Sequence, residues 1–284
     1  MKAIATVSRT KEILEKYELN AKKKFGQNFL TEPSVVERIA DSIPKGTKRC
    51  AIEIGPGIGA LTEQLALRCE KVIAYEIDDD LLPVLAETMA PYPHVEIRHQ
   101  DFLTVDLNAL VSELEKEGYT PVVCANLPYY ITTPILFHLF EAEKQVSSIT
   151  VMMQKEVADR FVAKPSTKDY NALTVITQYV ADCKMVMKVP KEVFNPRPHV
   201  DSAVVQFTLR KYPRVAKDHG QFVELVKGCF TQRRKTIRNN FTGVVRNKDL
   251  AKELLEKAEI DPSRRSETCT LEEFLTLYEV TYHD

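Results

Sequence analysis

Short, mostly apolar runs recur along the first part of the chain. Runs of this length, bounded by polar or glycine-containing turns, are typical of buried strands. They predict five strands, at residues 50–54, 72–75, 95–98, 122–125 and 149–152. The pattern also predicts strands at 185–189 and 203–209, and helices at 61–67, 155–162 and 172–180. Alternation of strands and helices in this order indicates an α/β domain with a largely parallel sheet.

The pattern changes after about Tyr212, from where helical periodicity continues without a strand signal. It predicts helices at 222–230, 233–241, 250–258 and 271–280, and a capping box at Thr270-Leu271-Glu272-Glu273 starts the last of them. We therefore expect a sheet domain over 1–211, with an N-terminal extension over 1–24, and a small all-helical domain over 212–284.

Composition narrows the class of protein without identifying it. The 284 residues suffice for one main domain and a smaller one. There is no N-terminal apolar run of the signal-peptide type and no stretch of about 18 apolar residues. The six cysteines are widely spaced, and neither they nor the six histidines show metal-ligand spacing. We expect a monomeric cytoplasmic protein with reduced thiols, no bound metal and no membrane partner.

A glycine-rich turn follows the first predicted strand and precedes a helix. Gly55, Gly57 and Ala60 match a nucleotide-binding fingerprint, in which glycines allow positive φ and a close approach of the ligand to the backbone. The second strand ends at Glu76, where an acid is expected to bind ribose hydroxyls. These features fit NAD and S-adenosylmethionine equally well.

The string Asn126-Leu127-Pro128-Tyr129, after the fourth strand, has the groups needed to methylate an exocyclic amine on a planar base. The lone pair of such a nitrogen is delocalised into the ring, so acceptors must bind its N–H groups while the ring is held flat. Asn126 offers a side-chain carbonyl, Leu127 or Pro128 a backbone carbonyl, and Tyr129 a stacking face. Alone, the string fits an ordinary strand-to-helix turn just as well.

The order of these features along the chain separates the two cofactors. Asp101 and Phe102 follow the third strand and suit an adenine amino group and its ring face. The glycine turn, Glu76, Asp101 and Asn126 thus follow four successive strand ends, where open parallel sheets bind ligands. A dehydrogenase has no need of an amine-binding string there. The combination therefore favours S-adenosylmethionine over NAD.

A set of motifs from about Lys24 to about Asn240 resembles the ribosomal RNA adenine N6-dimethyltransferases, in particular the small-subunit (16S) branch. The motifs are Phe25-Gly26-Gln27-Asn28-Phe29-Leu30, Glu53-Ile54-Gly55-Pro56-Gly57-Ile58-Gly59, Glu76, Asp101-Phe102, Asn126-Leu127-Pro128-Tyr129, Phe194-Asn195-Pro196-Arg197-Pro198, Val200-Asp201-Ser202-Ala203 and Arg233-Arg234-Lys235-Thr236-Ile237-Arg238-Asn239.

The resemblance implies an α/β Rossmann-like S-adenosylmethionine-dependent methyltransferase fold, with a seven-stranded mostly parallel sheet and a small all-helical C-terminal domain. It implies dimethylation at N6 of two adjacent adenosines in a hairpin near the 3′ end of small-subunit (16S) rRNA, within the assembling subunit. It assigns cofactor contacts to Asn28, Leu30, Gly55, Glu76, Asp101 and Asn126, and target-adenine contacts to Asn126, Leu127, Pro128, Tyr129 and Phe194.

Two positions depart from the family pattern: Tyr130, where relatives often carry Asn, and His199, where they often carry Lys. Three other classes of protein share part of the pattern. They are large-subunit rRNA or DNA adenine methyltransferases, a ribosome-assembly or transcription factor with no catalysis or only secondary catalysis, and a dehydrogenase. A cysteine nucleophile, as some RNA methyltransferases use on pyrimidines, would have to be Cys124, but its place within a strand favours a core role.

Basic residues are concentrated in two segments, although the net charge is -1. Seven basic residues and no acid lie between Leu225 and Lys248, where Phe230, Ile237 and Phe241 could anchor one side of a predicted helix. A solvated helix face is the alternative to an RNA-binding surface. We predict RNA contacts from Lys22, Lys23, Lys24, Arg233, Arg234, Lys235 and Arg238.

Overall fold

The computed structural model describes residues 2–19, 27–209 and 216–283, and Lys22, Lys23 and Lys24 lie outside them. The described residues divide into two compact units. The first contains the described residues up to Ala158 together with Lys184–Leu209. The second contains Asp159–Cys183 and residues 216–283.

The strands are β1 (Phe29–Leu30), β2 (Arg49–Ile54), β3 (Lys71–Glu76), β4 (Val95–His99), β5 (Thr120–Asn126), β6 (Ile149–Gln154), β7 (Ala181–Val189), β8 (Phe194–Asn195) and β9 (Ser202–Leu209). Seven of them form one sheet in the order β4-β3-β2-β5-β6-β9-β7. Strands β2 to β6 pair with one another in parallel, and β9 is antiparallel to β6. The predicted seven-stranded, mostly parallel sheet is confirmed.

The helices are α1 (Val7–Lys16), α2 (Pro33–Asp41), α3 (Ala60–Ala66), α4 (Leu82–Thr88), α5 (Leu107–Lys116), α6 (Thr132–Glu141), α7 (Lys155–Phe161), α8 (Ala172–Val180), α9 (His219–Cys229), α10 (Ile237–Val245), α11 (Lys248–Lys257) and α12 (Leu271–Tyr282). Strands β2, β3, β5 and β6 are buried over nearly their whole length, because helices cover both sides of a parallel sheet.

Chain order and spatial order diverge beside β2. The chain runs outward through β3 and β4 and then returns to the other side of β2 with β5. In open parallel sheets this reversal opens a crevice at the carboxyl ends of the strands. Ile54 ends β2 and Asn126 ends β5, so the glycine turn and the amine-binding string both begin at that crevice.

The second unit is helical in its C-terminal part, as predicted, but it also includes Asp159–Cys183, which lay within the predicted sheet domain. Contacts inside the unit explain this grouping. The Tyr170 hydroxyl donates to the Cys269 carbonyl at 2.8 Å, and the Ser166 N–H donates to the Glu267 carbonyl at 2.7 Å. The Tyr179 ring lies 4.7 Å from that of Phe222. The division between a methyltransferase domain and an RNA-recognition domain remains a prediction.

The helix predicted over 233–241 is wrong at its start, because α10 begins at Ile237. Thr236 is its N-cap and accepts a hydrogen bond from the Asn239 N–H. The preceding residues form a turn held by Asn240, whose amide donates to the carbonyls of Cys229 and Gln232. Ile237 and Phe241 are fully buried, as predicted, whereas Phe230 is half-buried at the C-cap of α9. The capping box at the start of α12 is confirmed.

No helix among the described residues is long and apolar enough to span a membrane.

Candidate active site

A pocket in the first unit lies at the carboxyl ends of β2, β3 and β5. The predicted cofactor-binding and target-adenine residues line it together, although they come from separate parts of the sequence. Its walls include Asn28, Leu30, Gly55, Glu76, Asp101, Asn126, Leu127, Pro128, Tyr129 and Phe194, and also Gln27, Glu53 and Tyr130.

The glycine turn keeps one wall of the pocket open. Gly55 and Gly57 have φ of +68° and +63°, a conformation that L side chains rarely adopt. The Gly55 N–H donates to the Tyr75 carbonyl at 2.9 Å, which ties the turn to β3. A Cβ on Gly57 would lie 3.4 Å from the Phe29 ring, so that ring packs directly against the turn.

Glu76 ends β3 with its carboxylate held by the backbone. Oε1 accepts from the N–H groups of Ile77 and Asp78 at 2.8 and 2.9 Å, and Oε2 accepts from Gly57 N–H at 3.3 Å. Burial raises the pKa of this carboxyl, and these backbone bonds oppose the rise. Each carboxylate oxygen can accept more than one bond, so the oriented group retains capacity for ribose hydroxyls.

Asp101 and Phe102 lie where the third predicted strand, now β4, has ended. One Asp101 oxygen, Oδ1, caps the following turn by accepting from the Leu103 N–H at 3.0 Å. The Phe102 ring is buried and meets the Tyr75 ring edge-on at 5.4 Å. The carboxylate is therefore fixed in orientation beside an aromatic wall, as an adenine contact requires.

The amine-binding string is held by the strand beside it. Asn126 pairs with Met152 of β6, and the Leu127 N–H donates to the Met152 carbonyl at 3.2 Å. The Pro128 carbonyl accepts from Ile131 N–H at 3.2 Å and from Thr132 Oγ1 at 3.1 Å. Because the Pro128 oxygen is already engaged in the turn, the geometry favours the Leu127 carbonyl as the second acceptor beside Asn126.

Tyr129 and Phe194 supply aromatic surface to the same pocket. The Tyr129 hydroxyl shares a hydrogen bond of 2.9 Å with Ser202 Oγ, which fixes the ring direction. Phe194 is only 5% exposed and belongs to β8. Tyr130, one of the two departures from the family pattern, is 59% exposed and also lines the pocket. His199 is exposed and lies outside this wall.

Two residues that the sequence reasoning did not single out support the N-terminal side of the pocket. Gln27 Nε2 donates to Asp78 Oδ2 at 2.7 Å. Asp78 is 3% exposed, and its own N–H is one of the donors that orient Glu76. The segment containing Asn28 is thereby joined to the Glu76 turn. Gln27 stood within a recognised motif, but no short-range pattern pairs it with a residue so distant in sequence.

Glu53 is a third missed residue and tests whether the pocket suits a cationic cofactor. This carboxyl is 1% exposed, and its Oε2 atom has no hydrogen-bond partner among the described residues. Burial raises its pKa to about 8. S-adenosylmethionine carries a sulfonium and an ammonium group, so a wall with Glu76, Asp101 and an ionised Glu53 fits its positive charge. An acid within an otherwise apolar strand was the available sequence signal.

The remaining predicted residues that the structure describes lie outside the pocket. Arg233, Arg234 and Lys235 are exposed in the turn before α10, and Arg238 is half-buried within that helix. The Arg233 guanidinium donates to the Lys168 carbonyl at 2.5 Å. Cys124 is fully buried, and burial raises the pKa of its thiol well above the usual value, in line with a core role rather than a nucleophile.

Comparison with known proteins matches residues 18–281 to the family model described as ribosomal RNA adenine dimethylase. The chain is 50% identical over 282 residues to "Ribosomal RNA small subunit methyltransferase A" of Bacillus mycoides (strain KBAB4), covering 98% of this chain and 97% of that protein. The protein of the same name from Bacillus anthracis (strain A0248) matches equally well.

Two solved structures share the fold. One is the 23S rRNA methyltransferase ErmE, with a TM-score of 0.69 and 28% identity, over 89% of this chain and 99% of that one. The other is a dimethyladenosine transferase from Plasmodium falciparum, with a TM-score of 0.73 and 24% identity, over 87% of this chain and 95% of that one.

Proposed function

Because the chain belongs to the ribosomal RNA adenine dimethylase family, we propose that it methylates two adjacent adenosines near the 3′ end of small-subunit (16S) rRNA. Methyl groups pass from S-adenosylmethionine to N6, and the product is N6,N6-dimethyladenosine. The observation that carries this function is the pocket, which unites the glycine turn, the Glu76 and Asp101 acids, and the Asn126-to-Tyr129 string.

One set of pocket residues binds the cofactor, and another binds the target base. S-adenosylmethionine supplies an electrophilic methyl group when bound. Glu76 and Asp101 bind its ribose and adenine, while the glycine turn lets it approach the backbone. In the first transfer, Asn126 and the Leu127 carbonyl accept hydrogen bonds from the two N–H groups of the target amine, which localises the nitrogen lone pair toward the methyl group. The methylated amine keeps one N–H, so one of these acceptor bonds remains for the second transfer.

Base flipping precedes the chemistry, because N6 is inaccessible within a stacked helix. Flipping costs a few kcal/mol and least in a loop. Stacking on Tyr129 and Phe194 offsets that cost by about 1–3 kcal/mol per base. Attack leaves a cationic amine that loses its proton readily to water, so the reaction does not depend on a strong general base in the pocket.

Membership of the same family leads us to propose the substrate particle, the cellular location and the RNA-contacting residues. The substrate is presented within the assembling small subunit, and the enzyme acts as a cytoplasmic monomer. Lys22, Lys23, Lys24, Arg233, Arg234, Lys235 and Arg238 bind the phosphate backbone around the target hairpin. Exposure of Arg233, Arg234 and Lys235 supports this assignment.

A methylation assay on isolated subunits tests the function. Purified protein and S-adenosylmethionine are incubated with small subunits that lack the modification, and nucleosides are identified by mass spectrometry. We expect two methyl groups on each of two adjacent adenosines of 16S rRNA. Methylation of large-subunit rRNA instead would favour the activity named for the structurally similar 23S enzyme, with which this chain shares only 28% identity.

A further inference from the structure

A two-stranded sheet joins the cofactor side of the pocket to its target-base side. β1 contains Leu30, which lines the pocket, and Phe29, which packs on Gly57. β8 contains Phe194. The two strands are antiparallel, with Leu30 opposite Phe194 and Phe29 opposite Asn195. The strands are far apart in sequence, so their pairing sets the position of Phe194 relative to the cofactor-binding segment.

Thr31 fastens the end of this short sheet. Its N–H donates to the Val193 carbonyl at 2.9 Å, and its hydroxyl donates to the same oxygen at 3.0 Å. Thr31 is 8% exposed and is not part of the pocket wall. A strand pair of two residues has little stability of its own. The two hydrogen bonds from Thr31 to the residue before Phe194 are therefore a large part of what holds β8 in register.

We propose that Thr31 is a positioning residue that couples cofactor binding to target-base binding through Phe194. A bound cofactor that restrains Asn28 and Leu30 also restrains β1. Through the Thr31 hydrogen bonds it restrains β8 and the Phe194 ring as well. A base stacked on Phe194 stabilises the same arrangement from the other side. The two ligands therefore bind with positive cooperativity, and each raises the affinity for the other by the same factor.

This inference rests on the proposed function, since the second ligand is the target adenosine of the small subunit. The expected coupling is about fivefold, the lower end of the usual range, because the connection is one short strand pair. Removing the hydroxyl bond should reduce methylation at saturating ligands by about threefold to tenfold, the effect of one buried hydrogen bond.

Thr31→Val is the test variant, since it removes the hydroxyl and keeps the branched shape. Thr31→Ser is the matched control, since it keeps the hydroxyl. The affinity for S-adenosylhomocysteine is measured by calorimetry with the protein alone. It is measured again by equilibrium dialysis in the presence of unmodified small subunits. We expect Thr31→Val to bind S-adenosylhomocysteine alone within twofold of the parent, with full stoichiometry, while the coupling with subunits falls toward one. Thr31→Ser should retain the parental coupling and methylation rate.

A second readout needs no RNA. Hydrogen exchange of the 190–198 segment is measured with S-adenosylhomocysteine bound, and it should be faster in Thr31→Val than in the parent or Thr31→Ser. Unchanged coupling and exchange in Thr31→Val, or an equal loss in Thr31→Val and Thr31→Ser, would overturn the inference. If the parent binds cofactor and Thr31→Val exchanges faster than the parent, but the parent methylates no small-subunit adenosine, only the proposed function would be overturned.

Discussion

Replacing Asn126 with Ala tests the amine-binding string, because it removes one of the two acceptors that localise the amine lone pair. The fold should tolerate the change. The side chain lies at the end of β5 and is half-buried, while the backbone there stays paired with Met152. We therefore expect a loss of unfolding free energy of no more than about 0.5 kcal/mol, typical of a surface substitution.

The catalytic loss should be much larger than the loss of stability. The target amine becomes cationic as the methyl group arrives, so its hydrogen bonds strengthen in the transition state. Losing one preorganised bond of this kind costs about 2.7–4 kcal/mol, which is about 10²–10³ in rate. The Leu127 carbonyl remains and accounts for the residual activity. Asn126→Asp keeps an oxygen acceptor and should be less impaired than Asn126→Ala.

Single-turnover methylation at saturating cofactor and small subunits measures this effect directly. Subunit affinity of Asn126→Ala should fall less than the rate does, because the lost bond forms mainly in the transition state. If Asn126→Ala methylated within threefold of the parent, Asn126 would not be the catalytic acceptor.

Three further predictions separate the other parts of the pocket and surface. Glu76→Ala should weaken S-adenosylhomocysteine binding while Phe194→Ala leaves it nearly unchanged and impairs turnover, and calorimetry with equal losses would contradict that division. The parent's S-adenosylhomocysteine affinity should rise with pH from 6 toward about 8, because Glu53 must lose its proton to face the ligand's ammonium group. Glu53→Gln should flatten that slope, and a slope in Glu53→Gln equal to the parent's would exclude this cause. Arg234→Glu should weaken subunit binding and flatten its log–log salt dependence by about 0.7–0.9 per lost phosphate contact, whereas the matched reversal Lys252→Glu should not; filter binding with an unaltered Arg234→Glu slope would reduce Arg234 to a solvated charge.

The sheet and much of the pocket were predictable because their signals are local. A buried parallel strand is a short apolar run, and the groups that serve the ligand follow its carboxyl end. Glu76, Asp101 and Asn126 could thus be assigned to successive strand ends from the sequence alone.

The features that were missed depend on partners distant in sequence. The bond from Gln27 to Asp78 and the pairing of β1 with β8 have no periodic signature. The start of α10 was wrong for a different reason: basic residues are good helix formers, but Thr236 competes by capping the backbone at that point. Grouping of 159–183 with the C-terminal helices likewise depends on long-range contacts such as that of Tyr170 with Cys269.

Mass spectrometry of 16S rRNA from a strain that lacks this protein, complemented with either the parent or Asn126→Ala, tests the central claim most directly. We predict unmethylated adenosines at the two adjacent positions near the 3′ end in the deletion strain. The parent should restore N6,N6-dimethyladenosine at both, and an equal amount of Asn126→Ala should not. Full dimethylation in the deletion strain, or restoration by Asn126→Ala to the parental level, would contradict the account.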